Sequence, residues 1–152
     1  MTIADHTLTI ERHLSAPIDS VFDAFANVSK FAQWFGPSPD VNVEIFEYLF
    51  EKDGRYRIGF KGSGDTADVA AGFYVSITPP TQIVFTWQWE PPHVYAGHDT
   101  LVTIDLAPTS NGTKLKLTHE KLPSTEAKEN HNQGWSGAFD QLEPWLARHE
   151  VA

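Results

Sequence analysis

The stretch 124-STEAKENHNQGWSGAFDQLEPWLARH-149 decides how the rest of the chain must fold. Wound at about 100° per residue, it places His131, Trp135, Ala138, Leu142, Trp145 and Leu146 on one stripe, with Phe139 at its margin. Glu129, Gln133, Ser136, Asp140 and Ala147 fall on the opposite face. This is the pattern of an amphipathic helix whose apolar stripe is broad enough to cover a sheet. Pro123 and Ser124 mark its start, and Glu126 and Glu129 lie where the positive end of the helix dipole favours acid. Gly134 weakens the helix beside the stripe and is expected where a neighbour approaches closely. Pro144, on the solvent face, costs a backbone bond to Asp140 and predicts a kink. Such a helix needs an apolar surface to lie on, and the residues before it supply one.

Working back from Ser124, the period is two rather than 3.6. Thr113–Glu120 carries Leu115, Leu117 and His119 on one side, and Thr100–Ala107 carries Val102, Ile104 and Leu106. The two form a hairpin across Pro108–Gly112. Before them, Glu90–Asp99 holds two prolines, two histidines, Tyr95 and Gly97, and is expected to be a mobile loop. Ile83, Phe85, Trp87 and Trp89 make another strand after the Pro79-Pro80 turn. Ala67–Ile77 puts Val69, Ala71, Phe73, Val75 and Ile77 on one face, and Arg55–Phe60 does so with Tyr56, Ile58 and Phe60. Lys61–Asp65, polar and glycine-rich, is a loop, and Asp53-Gly54 is a hairpin turn. In Val41–Phe50, Phe46, Tyr48 and Phe50 share one face while Val43 and Ile45 share the other. That change of phase points to a bulge or to a strand buried on both sides.

Towards the N-terminus, Lys30–Phe35 is a short helix. Ile18, Val21, Phe22, Phe25 and Val28 form the buried face of another, opened by Ser15-Ala16-Pro17. Thr7–Leu14 alternates as a first strand, with Leu8, Ile10 and Arg12 on one face. The order is strand, two helices, six strands, long helix. Hairpin-linked strands imply an antiparallel sheet, and the terminal helix is the partner broad enough for its apolar face. The fold class is α+β. About seven strands wrapped around one helix leave room for a cavity between them.

Composition narrows the function. The chain has 152 residues, the size of one ordinary domain, and it is read as a single domain over 1–152. A formal charge of −9, with eleven Lys and Arg that form no run, sets aside nucleic acid and an anionic membrane surface as partners. There is no cysteine, so disulfides, thiolate catalysis and Cys-ligated zinc are excluded. No targeting pattern or membrane-length apolar run is present, and the expected location is cytoplasmic. No cofactor is indicated, and a homodimer is left open beside a monomer.

The order of these elements and several short motifs resemble a known family. The residues are Ser15-Ala16-Pro17 with Val21-Phe22, Trp34 ending the short helix, and Gly54-Arg55-Tyr56-Arg57 after the turn. Further along stand Ile77-Thr78-Pro79-Pro80 leading to Ile83-Val84-Phe85-Thr86-Trp87, and Gly112-Thr113-Lys114-Leu115 leading to Leu117-Thr118-His119-Glu120. His131-Asn132-Gln133-Gly134-Trp135, followed by Leu142, completes the set. The chain is similar to the domain shared by activators of the heat-shock-protein-90 ATPase and their single-domain bacterial homologues. These lie in the START-like superfamily with the helix-grip fold. The resemblance implies a curved antiparallel sheet gripping a long C-terminal helix, with an apolar ligand held between them. Two positions depart from the family pattern. Leu49 stands where an acid is frequent, and Asp53-Gly54 replaces a glycine pair, so the entry end of the sheet is more apolar.

The aromatics expected to face inward are Trp34, Phe46, Tyr48, Phe60, Phe73, Phe85, Trp87, Trp89, Trp135 and Phe139. Any one of them could simply fill the core. As a group they are hard to close-pack, and pockets are mostly apolar with a few polar anchors. His119 and His131 are the expected anchors; their competing role is a helix-to-strand hydrogen bond. A metal would need a third ligand such as His93, His98 or Asp99, and none of these pairs has the one-turn spacing of a zinc helix. Glu47, Asp105 and Glu120 show no paired-carboxylate or Ser-His-Asp spacing. The leading reading is therefore a binder of a small apolar or aromatic molecule. The alternatives are a chaperone-docking module and a cyclase or hydrolase using His119 or His131 as general base. Full activators carry a further N-terminal domain, whereas here the first strand begins within about ten residues of Met1. A chain of charge −9 could then dock only through a salt-sensitive basic patch, so a chaperone partner is not expected.

Overall fold

Period-two alternation and the terminal helical stripe both materialise in the computed structural model, which describes residues 6–62 and 67–149. The elements run β1 (His6–Leu14), α1 (Ile18–Ala26), α2 (Val28–Trp34), β2 (Asn42–Tyr48), β3 (Arg55–Lys61), β4 (Asp68–Thr78), β5 (Gln82–Trp89), β6 (Thr100–Thr109), β7 (Gly112–Leu122) and α3 (Thr125–His149). The strands form one antiparallel sheet in the order β1-β7-β6-β5-β4-β3-β2. From β2 to β7 each strand pairs with the next in sequence, and β1 adds beside β7. The helices α1 and α2 carry the chain from the β1 edge to the β2 edge. The polar loop expected from Lys61 to Asp65 lies, beyond Gly62, outside the described residues.

The helix α3 begins as its sequence predicts. Ser124 Oγ accepts the Ala127 N–H at 3.0 Å, satisfying one of the donors a helix start leaves open. His131, Trp135, Ala138, Phe139, Leu142, Trp145 and Leu146 are all buried against the sheet and α2. The helix continues through Pro144, which is exposed. Pro144 has no N–H to donate to the Asp140 carbonyl, so the helix lacks that one backbone bond. Arg12 lies in phase with Leu8 and Ile10 on β1 and reaches across to Asp140 at 2.8 Å, tying the edge strand to the helix.

The close approach expected at Gly134 occurs one turn later. Nothing lies within 4 Å of where a Gly134 Cβ would stand, whereas a Cβ at Gly137 would sit 1.8 Å from the Pro37 carbonyl oxygen. Gly137 is what lets the backbone after α2 touch the helix, an approach also fixed by Gln141 Nε2 donating to Gly36 O at 2.6 Å. Gly137→Ala is expected to lower stability by about 1–3 kcal/mol, the range for overpacking, despite its better helix propensity. Urea unfolding measures this, and a more stable variant would contradict the contact.

Two bulges reorganise the faces expected on β2 and β4. On β2 the register shifts between Ile45 and Glu47, so Phe46 is the extra residue. Val43 and Ile45 before the bulge, and Tyr48 after it, then all face inward opposite Phe60, Ile58 and Tyr56. Phe46 is turned out, 43% exposed, with its ring over Gly59 and the Arg57 guanidinium 5.1 Å from its centroid. On β4 the inner face is Ala70, Gly72 and Tyr74, and a second shift between Tyr74 and Ser76 returns Ile77 to the core. Val69, Ala71 and Phe73 are on the outer face, and Phe73 is 45% exposed. Gly72 stands on that face because the Tyr56 side chain crosses β4 there to donate its hydroxyl to Thr86 O on β5. Val28 is also exposed, since it opens α2 after the Asn27 cap instead of closing α1.

Candidate functional site

Each layer offers a histidine to a tryptophan of the other. On β7, His119 is fully buried, and its Nδ1 accepts the Trp135 indole N–H of α3 at 3.1 Å. The remaining ring proton is therefore on Nε2, which donates to Thr100 Oγ1 at 2.7 Å. Thr100 in turn donates to Trp87 O at 2.7 Å. On α3, His131 Nδ1 faces the Ala127 carbonyl at 2.7 Å and must donate to it. That leaves Nε2 to accept the Trp89 indole N–H of β5 at 3.0 Å. The two rings meet edge to face with centroids 5.0 Å apart, without a hydrogen bond between them.

This arrangement decides what the histidines can do. Both nitrogens of both rings are engaged, and protonating either ring would set two N–H groups against each other. Burial pushes the His119 pKa well below its ordinary value, and the neighbouring His131 adds to the shift. Burial also lowers His131, only partly offset by its bond to Ala127. They act as neutral struts that fix Trp135 and Trp89. A general base with a free lone pair is absent from the pair.

The struts frame a cleft of about 440 Å³ between the sheet and the first half of α3. Of the expected site residues, Phe60, Trp87, Trp89, His131 and Trp135 line it. Other expected site residues lie elsewhere. Trp34 is buried under α1, its indole N–H donating to Ala24 O at 2.9 Å. Tyr48 and Phe85 border a separate deep void of only about 20 Å³, and Tyr48 donates its hydroxyl to Phe25 O at 2.5 Å. Phe139 is fully buried, stacked on Trp135. His119 stands behind the wall. Phe46 and Phe73 point away from the concave side, because of the bulge on β2 and the Gly72 crossing on β4. The deep interior is thus filled by its rings, and space remains at one end.

The sequence reading missed the rest of the wall. Phe35, Gly36, Pro37 and Val41 come from the connection after α2, and Gly62 and Asp68 from the ends of β3 and β4. His93, Val94 and Tyr95 come from the loop after β5. His93 stacks on Trp89 with centroids 4.1 Å apart, and its Nδ1 accepts the Tyr95 N–H. Burial lowers its pKa, while Asp68 opposes the shift. Asn130 Nδ2 donates to the Tyr95 hydroxyl at 2.7 Å, fastening the loop to α3. Gly134 and Ala138 keep the helix side open. The Trp87 indole N–H is buried and has no acceptor among the described residues. Among the described residues, no cluster of three His, Asp or Glu could hold a metal ion. No described helix is long and apolar enough to cross a membrane.

Residues 15–147 match the family described as Activator of Hsp90 ATPase homolog 1-like protein. The chain belongs to that family. Among solved structures, protein CV1439 from Chromobacterium violaceum is 27% identical with a TM-score of 0.80, the match covering 91% of this chain and 95% of that one. The AHSA1 protein from Silicibacter pomeroyi is 24% identical with a TM-score of 0.82, over 95% and 98% of the two chains. Protein MLL2253 from Mesorhizobium loti is 21% identical with a TM-score of 0.78, over 95% and 99%. At these last two identities the likeness carries the fold alone. No curated protein matches the chain. The family's AHSA1/SRPBCC-like fold generally binds hydrophobic ligands.

Proposed function

We propose that this member of the family binds a small apolar or aromatic molecule in the cleft between sheet and α3. The observation that carries the reading is the open space beside Gly134, walled by Phe60, Trp87, Trp89 and Trp135. Large rings held apart around unfilled volume forgo contacts that a collapsed core would make. The struts from His119 and His131 keep two of those rings in place. A ligand restores the missing contacts, and the wall's few polar groups orient it.

Gly134 supplies a test that separates binding from folding. Gly134→Leu should place an isobutyl group in the open space while improving helix propensity. The expected result is a rise in stability of about 0.5–1 kcal/mol together with at least a tenfold loss of affinity for a neutral apolar dye such as Nile red. Dye fluorescence and urea unfolding on the same samples measure both. Native protein that binds no dye, or a variant that binds it as well as wild type, would overturn the reading.

A further inference from the structure

We infer that the occupant of the cleft is an aromatic molecule bearing a protonated amine, with its ammonium at Asp68; this rests on the binding function proposed above. Asp68 opens β4 directly opposite Phe60 of β3, and side chains paired across an antiparallel ladder project to the same face. It is also in phase with Ala70, Gly72 and Tyr74, the inner residues of that strand. A carboxylate therefore stands on the concave side of the sheet, and it lines the cleft. Asp68 is exposed, so a ligand in that cleft can reach it. Glu11, Asp23, Glu47, Glu90 and Asp140 each meet a lysine or arginine within 4.0 Å, whereas Asp68 meets none among the described residues. An inward-facing carboxylate without a protein partner is a place for a cation to arrive.

The rest of the wall suits an organic cation. Its described residues include no lysine or arginine to repel one, and burial favours the neutral form of His93. Phe60 lies opposite the carboxylate, and the Trp89 ring follows with its centroid 5.6 Å from that of Phe60. Aromatic ring faces carry negative charge density and attract cations. A net charge of −9 adds a long-range attraction of the same sign. A metal ion would ask for several oxygen ligands, and no described cluster supplies them. An anion would meet the like charge of Asp68 in an apolar site with no cation to pair it. The aromatic body of the ligand makes the apolar contacts, and its charge sets the class.

The test compares three probes built on one naphthalene ring: 1-naphthylmethylammonium, 1-naphthylmethanol and 1-naphthoate. Affinity is read by titration calorimetry at neutral pH, and displacement of Nile red places the probes in the cleft. At low salt the ammonium should bind about three- to tenfold more tightly than the alcohol, the combined effect of an exposed ion pair and a cation beside aromatic rings. The carboxylate should bind more weakly than either. High salt should shrink the preference, since exposed charges are screened. Asp68→Asn should remove most of it. Asp19→Asn, which deletes the same charge from the first turn of α1, should keep it, so the two variants separate a contact at Asp68 from the overall field. Both positions are exposed, so neither change threatens the fold. If the ammonium binds no better than the alcohol, or if Asp19→Asn removes the preference as fully as Asp68→Asn, the inference is overturned while the cleft reading survives. Tightest binding by the carboxylate overturns it as well. If neither Nile red nor any probe binds, the cleft reading fails and takes this inference with it.

Discussion

Trp135→Ala should lower stability by about 3–5 kcal/mol, the range for deleting a large buried ring. Trp135 is 4% exposed and lies against Phe35, Trp87 and Phe139, with centroids 5.7, 5.2 and 6.0 Å away. Its removal also leaves His119 Nδ1, fully buried on β7, without its donor. Water cannot readily replace that donor, so the loss sits towards the upper end of the range. For a chain of this size, about 2–4 °C of Tm accompanies each kcal/mol, so thermal unfolding resolves the effect easily. Gln133→Ala, on the exposed face of α3, should stay within about 0.5 kcal/mol of wild type. Equal effects at the two positions would mean that α3 is not held to the sheet as described.

Stability should also fall as pH drops from about 7 towards 5. His119, His131 and His93 all have pKa values lowered in the folded protein by burial. The unfolded chain binds protons at these rings below about 6.5, whereas the folded one resists them. The stability they carry is present above that value and is lost as pH falls towards the depressed folded pKa values. Each ring that resists protonation contributes a slope of up to about 1.4 kcal/mol per pH unit. The two interlayer histidines together reach about 2.7. The titratable groups acting on them are one another, His93 and, on His93, the Asp68 carboxylate, an anion whose opposing pull is outweighed by burial. Urea midpoints measured from pH 7.5 to 5.0 give the slope. His119→Gln keeps an acceptor for Trp135 and a donor for Thr100 but cannot take a proton, so it should flatten the slope by up to about 1.4 kcal/mol per pH unit. A wild-type stability that is level across this window would show that these rings titrate freely.

The helix α3 and the run of hairpin-linked strands were legible in the sequence, whereas His119 read first as a ligand anchor, with a helix-to-strand hydrogen bond as its competing role. A stripe such as His131, Trp135, Ala138, Leu142 and Trp145 can be buried in one way only, and six hairpin-linked strands have few alternatives to a meander. The motifs that resembled the family pointed to the same architecture, and the match over residues 15–147 agrees. Faces were harder than elements. Phe46 and Phe73 looked like pocket residues because large apolar side chains on alternating positions normally point inward. A bulge breaks that alternation, at Phe46 itself on β2 and between Phe73 and Ile77 on β4.

By itself the sequence determined a long amphipathic helix, a curved antiparallel sheet to receive it, and the absence of thiol chemistry, because these follow from period, turn chemistry and composition. Only the tertiary structure decided which rings fill the core and which border the cleft. Trp34, Tyr48, Phe85 and Phe139 close-pack, while Phe60, Trp87, Trp89 and Trp135 face open volume. It also decided that Gly137, not Gly134, takes the backbone contact, and that Trp87 alone of the three tryptophans lining the cleft lacks an acceptor among the described residues. Local sequence cannot encode these outcomes. Each depends on what stands opposite in space: the Pro37 carbonyl for Gly137, and for Trp87 the absence of a histidine such as those that meet Trp89 and Trp135.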